Sequence, residues 1–178
     1  ATFAQWITFP QLVSFIMITK AEQNICQRRV AKEYKDLTVD PLPNIKIACD
    51  NSDPLSWYCL LHSLTEDNFA GGEYILNIRL SPRYPFEAPD FFMLTPNGRF
   101  DVAKKLCFSN SSYHQKDGWS PMWTMRFIIL GFLSFFMEKT STGIGHIDTT
   151  DEAKKALAET SAAFNAANHP QIMSLFTS

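Results

Sequence analysis

The sequence has little glycine and little charge, and both shortages narrow its class. Seven glycines in 178 residues exclude a collagen-like or glycine-rich chain. Charged residues make up 19%, below the roughly 25% of an average domain, while apolar residues make up 46%. A net charge of −2 supplies no basic surface for nucleic acid, which we exclude as a partner. The composition indicates one globular domain with an aromatic-rich interior.

Metal and nucleotide motifs are also missing. The four cysteines form no Cys-x-x-Cys pair and are too few for a disulfide framework, which favours a reducing compartment. The histidines form no His-Glu-x-x-His motif, so we expect no metal site. No phosphate-binding glycine loop, dinucleotide fingerprint or Gly-x-Ser-x-Gly motif occurs. The sequence therefore predicts a protein that uses no cofactor.

The first residues form an apolar N-terminal extension, 1–20, and residues 1–19 carry no charge. Pro10 and nearby glutamines interrupt this segment too often for a membrane span of about 20 apolar residues. The segment also lacks the basic start of a signal or transit peptide. We expect it to be ordered and covered by its own domain, a membrane or a large complex. Residues 21–178 then form the single folded domain.

The rest of the chain predicts an α+β fold. A helix is predicted over 21–37, with an apolar stripe opposite a basic face of Arg28, Arg29, Lys32 and Lys35. Four short strands follow without intervening helices, which indicates a four-stranded antiparallel meander sheet. The predicted strands are 44–49, 56–63, 73–80 and 90–94. In the third strand, one apolar face is expected, formed by Tyr74, Leu76, Ile78 and Leu80.

Three helices are predicted in the second half. Residues 122–139 predict a central apolar helix, laid across the sheet and buried on most sides. Its short length and Arg126 argue against a membrane span. C-terminal helices are predicted at 151–165, after an N-cap at Thr149 or Thr150, and at 169–176.

The long loop between the fourth strand and the central helix is the candidate site. Structureless loops longer than about 15 residues are uncommon and usually functional. Cys107 is the one cysteine in this loop, whereas Cys26, Cys49 and Cys59 lie in helix or strand patterns, where thiols are usually inert. These residues alone leave it open whether Cys107 is a nucleophile or an ordinary loop cysteine.

Several motifs in and before this loop have a characteristic order and spacing. They are F-A-G-G-E-Y (69–74), Y-P-F-E-A-P (84–89), T-P-N-G-R-F (95–100), L-C-x-S (106–109), Y-H (113–114) and W-x-P-x-W (119–123). Together they resemble the ubiquitin-conjugating enzymes, and more narrowly the tail-anchored subgroup at the endoplasmic reticulum. The resemblance covers residues 23–168 and implies the ubiquitin-conjugating fold.

The resemblance implies an enzyme that receives ubiquitin from a ubiquitin-activating enzyme, carries it as a thioester on Cys107 and transfers it with a partner ligase. Asn97 then donates to the developing oxyanion, and His114 accepts a proton from the incoming lysine or hydroxyl group. Two alternatives stay open. Asn97 and Gly98 can simply make a tight turn, and His114 can be an exposed loop histidine. The segment after His114 is one residue longer than in the subgroup and lacks its proline.

The resemblance also implies a ligase-binding surface made of two loops and the first helix. Its predicted residues are Arg29, Lys32, Pro85, Phe86, Trp119 and Pro121. The alternative is that Phe86 and Trp119 are core aromatics and that the basic helix face is only solvated. Glu87 stands where the family commonly has lysine, which reverses a charge beside this surface.

A second hypothesis keeps the fold without the activity. A catalytically idle ubiquitin-conjugating fold would serve as a structural subunit of a large assembly, such as one of the mitochondrial membrane. Four features motivate this hypothesis: the uncharged N-terminus, Glu87, the altered segment after His114, and a chain that ends soon after the last helix, before the subgroup's membrane anchor. By resemblance we expect the cytoplasmic face of the endoplasmic reticulum, and under the second hypothesis a mitochondrial location.

Overall fold

The computed structural model describes residues 18–50, 52–65, 67–107, 118–138, 143–147 and 149–177. The elements are α1 (Lys20–Val39), β1 (Ile45–Asp50), β2 (Asp53–Leu61), β3 (Tyr74–Arg79), β4 (Asp90–Met93), α2 (Met125–Met137), α3 (Asp151–Asn168) and α4 (Pro170–Leu175). Each strand pairs antiparallel with the next, in the order β1–β2–β3–β4. The predicted α+β fold with a four-stranded meander sheet is confirmed. Most of the predicted N-terminal extension, residues 1–17, lies outside the described residues.

A reciprocal cap fixes the start of α1. The Glu22 amide donates to Thr19 Oγ1 at 3.1 Å, and the Thr19 amide donates to Glu22 Oε2 at 2.9 Å. The second of these bonds is the main reason that the pKa of Glu22 is lowered. From this start, Cys26, Val30 and Leu37 fall on one side of the helix and are buried in the core.

The central helix α2 is buried or half-buried at most of its residues, as predicted, and leaves one exposed face formed by Phe127, Leu130 and Ser134. Phe132 stacks on Phe91 of β4, with ring centroids 6.0 Å apart and planes 7° from parallel. On the opposite face Phe127 is 52% exposed and Leu130 is 41% exposed. Apolar residues occupy both faces, so composition could not show which face contacts the sheet. Among the described helices, none is long and apolar enough to cross a membrane.

Strand β3 is buried on both faces, whereas its sequence predicted one apolar face. Ile75 and Asn77, which alternate with the predicted apolar residues, are 0% and 2% exposed. The helix α3 lies against the start of this strand and hydrogen-bonds to Glu73, the residue just before it. The Glu73 amide donates to Ser161 Oγ at 2.8 Å, and Asn165 Nδ2 donates to Glu73 O at 2.9 Å. Strand β3 is therefore covered on both of its faces, although an antiparallel sheet commonly leaves one face in solvent.

Candidate active site

The loop after β4 folds back along the edge of the sheet and leads to Cys107. The Ala103 amide donates to Met93 O at 2.7 Å, and the Leu106 amide donates to Phe91 O at 2.9 Å. Cys107 follows directly after the second of these bonds. The cysteine is therefore held beside a strand and not at the tip of a free loop, which limits the positions open to its sulfur atom.

A second segment, residues 143–147, holds the main chain of Cys107 from the other side. The Cys107 amide donates to Ile144 O at 3.0 Å, and His146 Nε2 lies 3.4 Å from Cys107 O. Cys107 is half-buried. Both peptide groups of the predicted nucleophile thus have partners, while the residue keeps contact with solvent.

Burial distinguishes Cys26 and Cys59 from Cys107, and neighbouring carboxylates distinguish Cys49. Cys26 and Cys59 are 3% and 0% exposed, and burial raises the pKa of Cys59 from 9.0 to about 12. Cys49 is half-buried, and burial, with the carboxylates of Asp53 and Asp50, raises its pKa as well. The expected burial of Cys26 and Cys59 is confirmed, whereas Cys49 is less buried than its strand pattern predicted. A thiolate is disfavoured at all three positions.

Asn97 is 0% exposed and organises its own loop. Its Oδ1 accepts from the Arg99 amide at 2.9 Å and from the Phe100 amide at 2.8 Å. Its Nδ2 donates to Thr95 O at 3.0 Å and to Phe100 O at 3.4 Å. The turn-forming alternative therefore has direct support. The oxyanion role stays a prediction, and it requires the Nδ2 group to exchange one of these loop bonds for the substrate oxygen.

His114, the predicted proton acceptor, lies outside the described residues, as does the whole of 108–117. Its role stays a prediction. Among the residues that the structure describes, no group of three or more His, Cys, Asp or Glu side chains could hold a metal ion.

The predicted ligase-binding residues on the two loops and α1 are joined by hydrogen bonds, but they differ in exposure. Phe86 is 45% exposed, and Pro121 on the neighbouring loop is also exposed. Trp119 is half-buried and joins the two loops, because its Nε1 donates to Pro85 O at 2.8 Å. Pro85 itself is buried. The core alternative therefore does not describe Phe86, and Trp119 is only partly covered.

Two of the four basic residues on the α1 face, Arg29 and Lys32, form ion pairs within the chain. Lys32 is exposed and forms an ion pair with Asp36 at 2.6 Å. Arg29 is only 24% exposed in its side chain, contacts Glu33, and donates to Pro121 O at 3.2 Å. Arg29 thus holds the loop that contains Pro121, while Lys32 is exposed to solvent. Glu87, which stands where the family commonly has lysine, forms an ion pair with Arg83, with Oε1 3.5 Å from Nη1.

Glu33 is a buried carboxylate that the sequence did not single out. It is 5% exposed, and its Oε2 accepts from Tyr84 Oη at 2.7 Å and from the Met125 amide at 3.2 Å. Its Oε1 accepts from Arg29 Nε. The carboxylate therefore joins α1 to the loop that carries Phe86 and to the first residue of α2.

An open groove of about 700 Å³ lies between α1 and the hairpin of β1 and β2. Its lining includes Cys26, Cys49, Tyr34 and Trp57 and none of the predicted site residues. Cys107 lies beside the opposite edge strand, β4, so this groove is separate from the predicted nucleophile.

A comparison with known proteins decides the family. The family model described as ubiquitin-conjugating enzyme matches residues 29–166, which include Cys107 and both loops of the predicted surface. This chain belongs to the ubiquitin-conjugating enzyme family. The predicted recognition is confirmed.

Individual relatives agree with this ubiquitin-conjugating assignment. The chain is 39% identical over 143 residues to ubiquitin-conjugating enzyme E2 34 of Arabidopsis thaliana, an alignment that covers 80% of this chain and 60% of the relative. It is 37% identical over 150 residues to ubiquitin-conjugating enzyme E2 6 of Debaryomyces hansenii, an alignment that covers 84% of this chain and 61% of that relative. It is 34% identical over 147 residues to human ubiquitin-conjugating enzyme E2 J2, covering 83% and 56%. The chain thus spans about three fifths of the length of these relatives.

In this member of the ubiquitin-conjugating enzyme family, the sequence predicted roles for Cys107 and the two loops but did not single out two residues that contact them, Glu33 and His146. Glu33 lies among lysines and arginines on a polar-looking helix, so its burial gave no signal. His146 lies 39 residues after Cys107, and nothing in that spacing indicates contact. Only pairing of distant segments brings either residue to the site.

Proposed function

We propose that this chain carries ubiquitin as a thioester on Cys107 and transfers it to an acceptor selected by a partner ligase. In the first step the Cys107 thiolate attacks the thioester carbonyl of ubiquitin on the activating enzyme. A sulfur–carbon bond forms, and the activating enzyme's thiolate leaves. In the second step an acceptor amine or hydroxyl attacks the same carbonyl, Cys107 leaves as a thiolate, and the acceptor's proton passes to a base or to water.

The observation that carries this proposal is the setting of Cys107. It is half-buried on a segment hydrogen-bonded to β4, whereas Cys26 and Cys59 are buried and Cys49 lies beside the carboxylates of Asp53 and Asp50. A fixed main chain limits the positions of the sulfur atom, and orientation of this kind accelerates attack on a bound carbonyl. The described environment therefore favours Cys107 over the other thiols as the nucleophile.

The surface around Phe86 supports the ligase part of the proposal. An exposed phenylalanine beside a loop fixed by Trp119 offers a large apolar contact at little cost in side-chain entropy. We keep Phe86, Trp119, Pro121 and Lys32 as ligase contacts, with Arg29 and Pro85 holding the loops in place. His114 remains the proposed proton acceptor in the second step.

A charging assay tests the proposal. The protein is incubated with activating enzyme, ATP and ubiquitin, and the products are separated on a non-reducing gel. We expect a ubiquitin adduct that a thiol removes, a thiol-resistant ester in Cys107→Ser, and no adduct in Cys107→Ala. Cys49→Ser is the matched control, because Cys49 is the other half-buried thiol, and it should charge like the wild type.

Two outcomes would overturn the proposal. The first is no adduct under conditions that charge another member of the family, which would favour the idle, structural hypothesis. The second is an adduct that survives Cys107→Ala and disappears in Cys49→Ser.

A further inference from the structure

His146 is fixed beside the predicted nucleophile by packing as well as by a polar contact. Its ring packs edge-on against the rings of Phe100 and Phe135, with centroid distances of 5.0 Å and 5.2 Å. Its Nε2 lies 3.4 Å from Cys107 O, which is the distance of a long hydrogen bond. Two aromatic partners thus hold the ring in the orientation that directs Nε2 at the cysteine's carbonyl group.

The segment that carries His146 runs along the loop that ends at Cys107. The Asp101 amide donates to Gly145 O at 2.8 Å, and the Cys107 amide donates to Ile144 O at 3.0 Å. Gly145 has a φ of +86°, and a Cβ there would lie 2.8 Å from a Leu106 methyl carbon. A glycine is therefore required for the close approach that brings His146 to the cysteine.

The acceptor at Cys107 determines what His146 can do. A carbonyl oxygen only accepts, so the Nε2 that faces it must carry a proton, in either the neutral Nε2–H tautomer or the imidazolium. A nitrogen that carries this proton cannot also take one from an incoming acceptor. The contact is thus suited to holding the cysteine main chain and not to general base catalysis at Nε2.

We infer that His146 is a positioning residue whose Nε2–H holds the Cys107 carbonyl and thereby fixes the sulfur for thioester exchange. This inference rests on the proposed function. His146 at the Cys107 carbonyl and Ile144 O at the Cys107 amide together restrain both peptide groups of the nucleophile. Loss of one neutral hydrogen bond of this kind corresponds to roughly a three- to tenfold change in rate.

Two substitutions separate the hydrogen bond from the ring packing. His146→Phe keeps an aromatic ring between Phe100 and Phe135 but removes the donor. His146→Gln keeps a donor near the position of Nε2 but removes the ring. The measurements are the single-turnover rate at which the Cys107 thioester discharges to free lysine, without a ligase, and the thermal unfolding midpoint.

We expect His146→Phe to discharge about three- to tenfold more slowly, with a midpoint only slightly below that of the wild type because the ring packing is kept. His146→Gln should discharge within about twofold of the wild type despite a lower midpoint. The reverse pattern, in which discharge follows stability, would show that the ring is only a packing residue and would overturn the inference. Unchanged discharge in both variants would do the same.

His169 supplies a matched control. Its Nε2 lies 3.2 Å from Leu94 O, and its ring packs against Phe164 at 5.8 Å, so it repeats the arrangement away from Cys107. His169→Phe should leave the discharge rate unchanged, and a drop equal to that of His146→Phe would overturn the inference.

A readout without ubiquitin keeps the two proposals distinguishable. The carbonyl carbon resonance of Cys107 should move in His146→Phe and stay near its wild-type position in His146→Gln. If the wild type forms no thioester at all, the proposed function fails, while this resonance still tests the contact. An unmoved resonance in His146→Phe would overturn the inference even in an active enzyme.

Discussion

At the residue scale, burial sets the ionisation of the thiols. Cys59 has no exposed surface, and burial raises the pKa of its thiol to about 12, whereas a thiol in the unfolded chain ionises near 9.0. Between these values the unfolded chain releases a proton that the folded chain retains. The free energy of unfolding should therefore fall as the pH rises above about 9, by up to about 1.4 kcal/mol per pH unit from this thiol.

Urea unfolding of the wild type and of Cys59→Ala at pH 8, 9.5 and 10.5 checks this expectation. The variant should lose less stability over that range than the wild type does. Burial also raises the pKa of Tyr74, to about 12, so part of the alkaline decline should remain in the variant. Equal declines in the two proteins would contradict the assignment to Cys59.

Burial of the cysteines was predicted correctly where the helix or strand pattern matches the burial in the structure. A cysteine among polar loop residues was distinguished from Cys26 and Cys59, whose helix and strand patterns correctly indicated burial. Cys49 shows the limit, because its strand is at the edge of the sheet and leaves it half-exposed. Strand pattern reports the face of a residue, whereas exposure also depends on which strand lies next to it.

At the element scale, α2 has two apolar faces with different roles. Phe132 is 0% exposed against the sheet, and Phe127 is 52% exposed on the opposite face. We expect Phe132→Ala to lower the free energy of unfolding by about 3–5 kcal/mol, because it leaves a cavity against Phe91. Phe127→Ala, the control on the same helix, should change it by roughly 0.5 kcal/mol or less.

Denaturant unfolding of both variants tests this difference. Similar losses would show that Phe127 is as important to packing as Phe132 and would contradict this difference. The sequence could place this helix, within a few residues at each end, because a run of apolar residues needs burial. It could not orient the helix, because the choice of face depends on the shape of the sheet beneath it.

At the scale of the whole molecule, Glu33 connects elements that are distant in sequence. Its carboxylate binds Arg29, Tyr84 and the Met125 amide, from α1, the loop before β4 and α2. In Glu33→Gln an amide group replaces one acceptor oxygen and faces a donor, while Arg29 loses its charge partner. We expect a loss of about 3 kcal/mol in the free energy of unfolding.

The control for this variant is Asp36→Asn, which removes an exposed carboxylate one turn along the same helix. Its ion pair with Lys32 lies in solvent, so the expected loss is roughly 0.5 kcal/mol or less. Denaturant midpoints of the two variants provide the comparison. A Glu33→Gln protein as stable as Asp36→Asn would contradict the role given to the buried carboxylate.

Two whole-molecule predictions stay open to experiment. Contact of residues 1–19 with a membrane or large complex remains a prediction, since nearly all of that segment lies outside the described residues. The cytoplasmic face of the endoplasmic reticulum, with a mitochondrial location as the alternative, also remains a prediction. Fractionation of cells that express the protein would distinguish the two locations.

The sequence by itself determined the elements, the meander sheet, the family and the candidate cysteine, since each depends on local periodicity or on motifs within one stretch of chain. Tertiary structure alone decided which face of α2 is buried, that Glu33 is an internal carboxylate, and that His146 meets Cys107. These contacts join residues up to 92 positions apart. Such pairs are set by how the elements pack around the sheet, which no local pattern records.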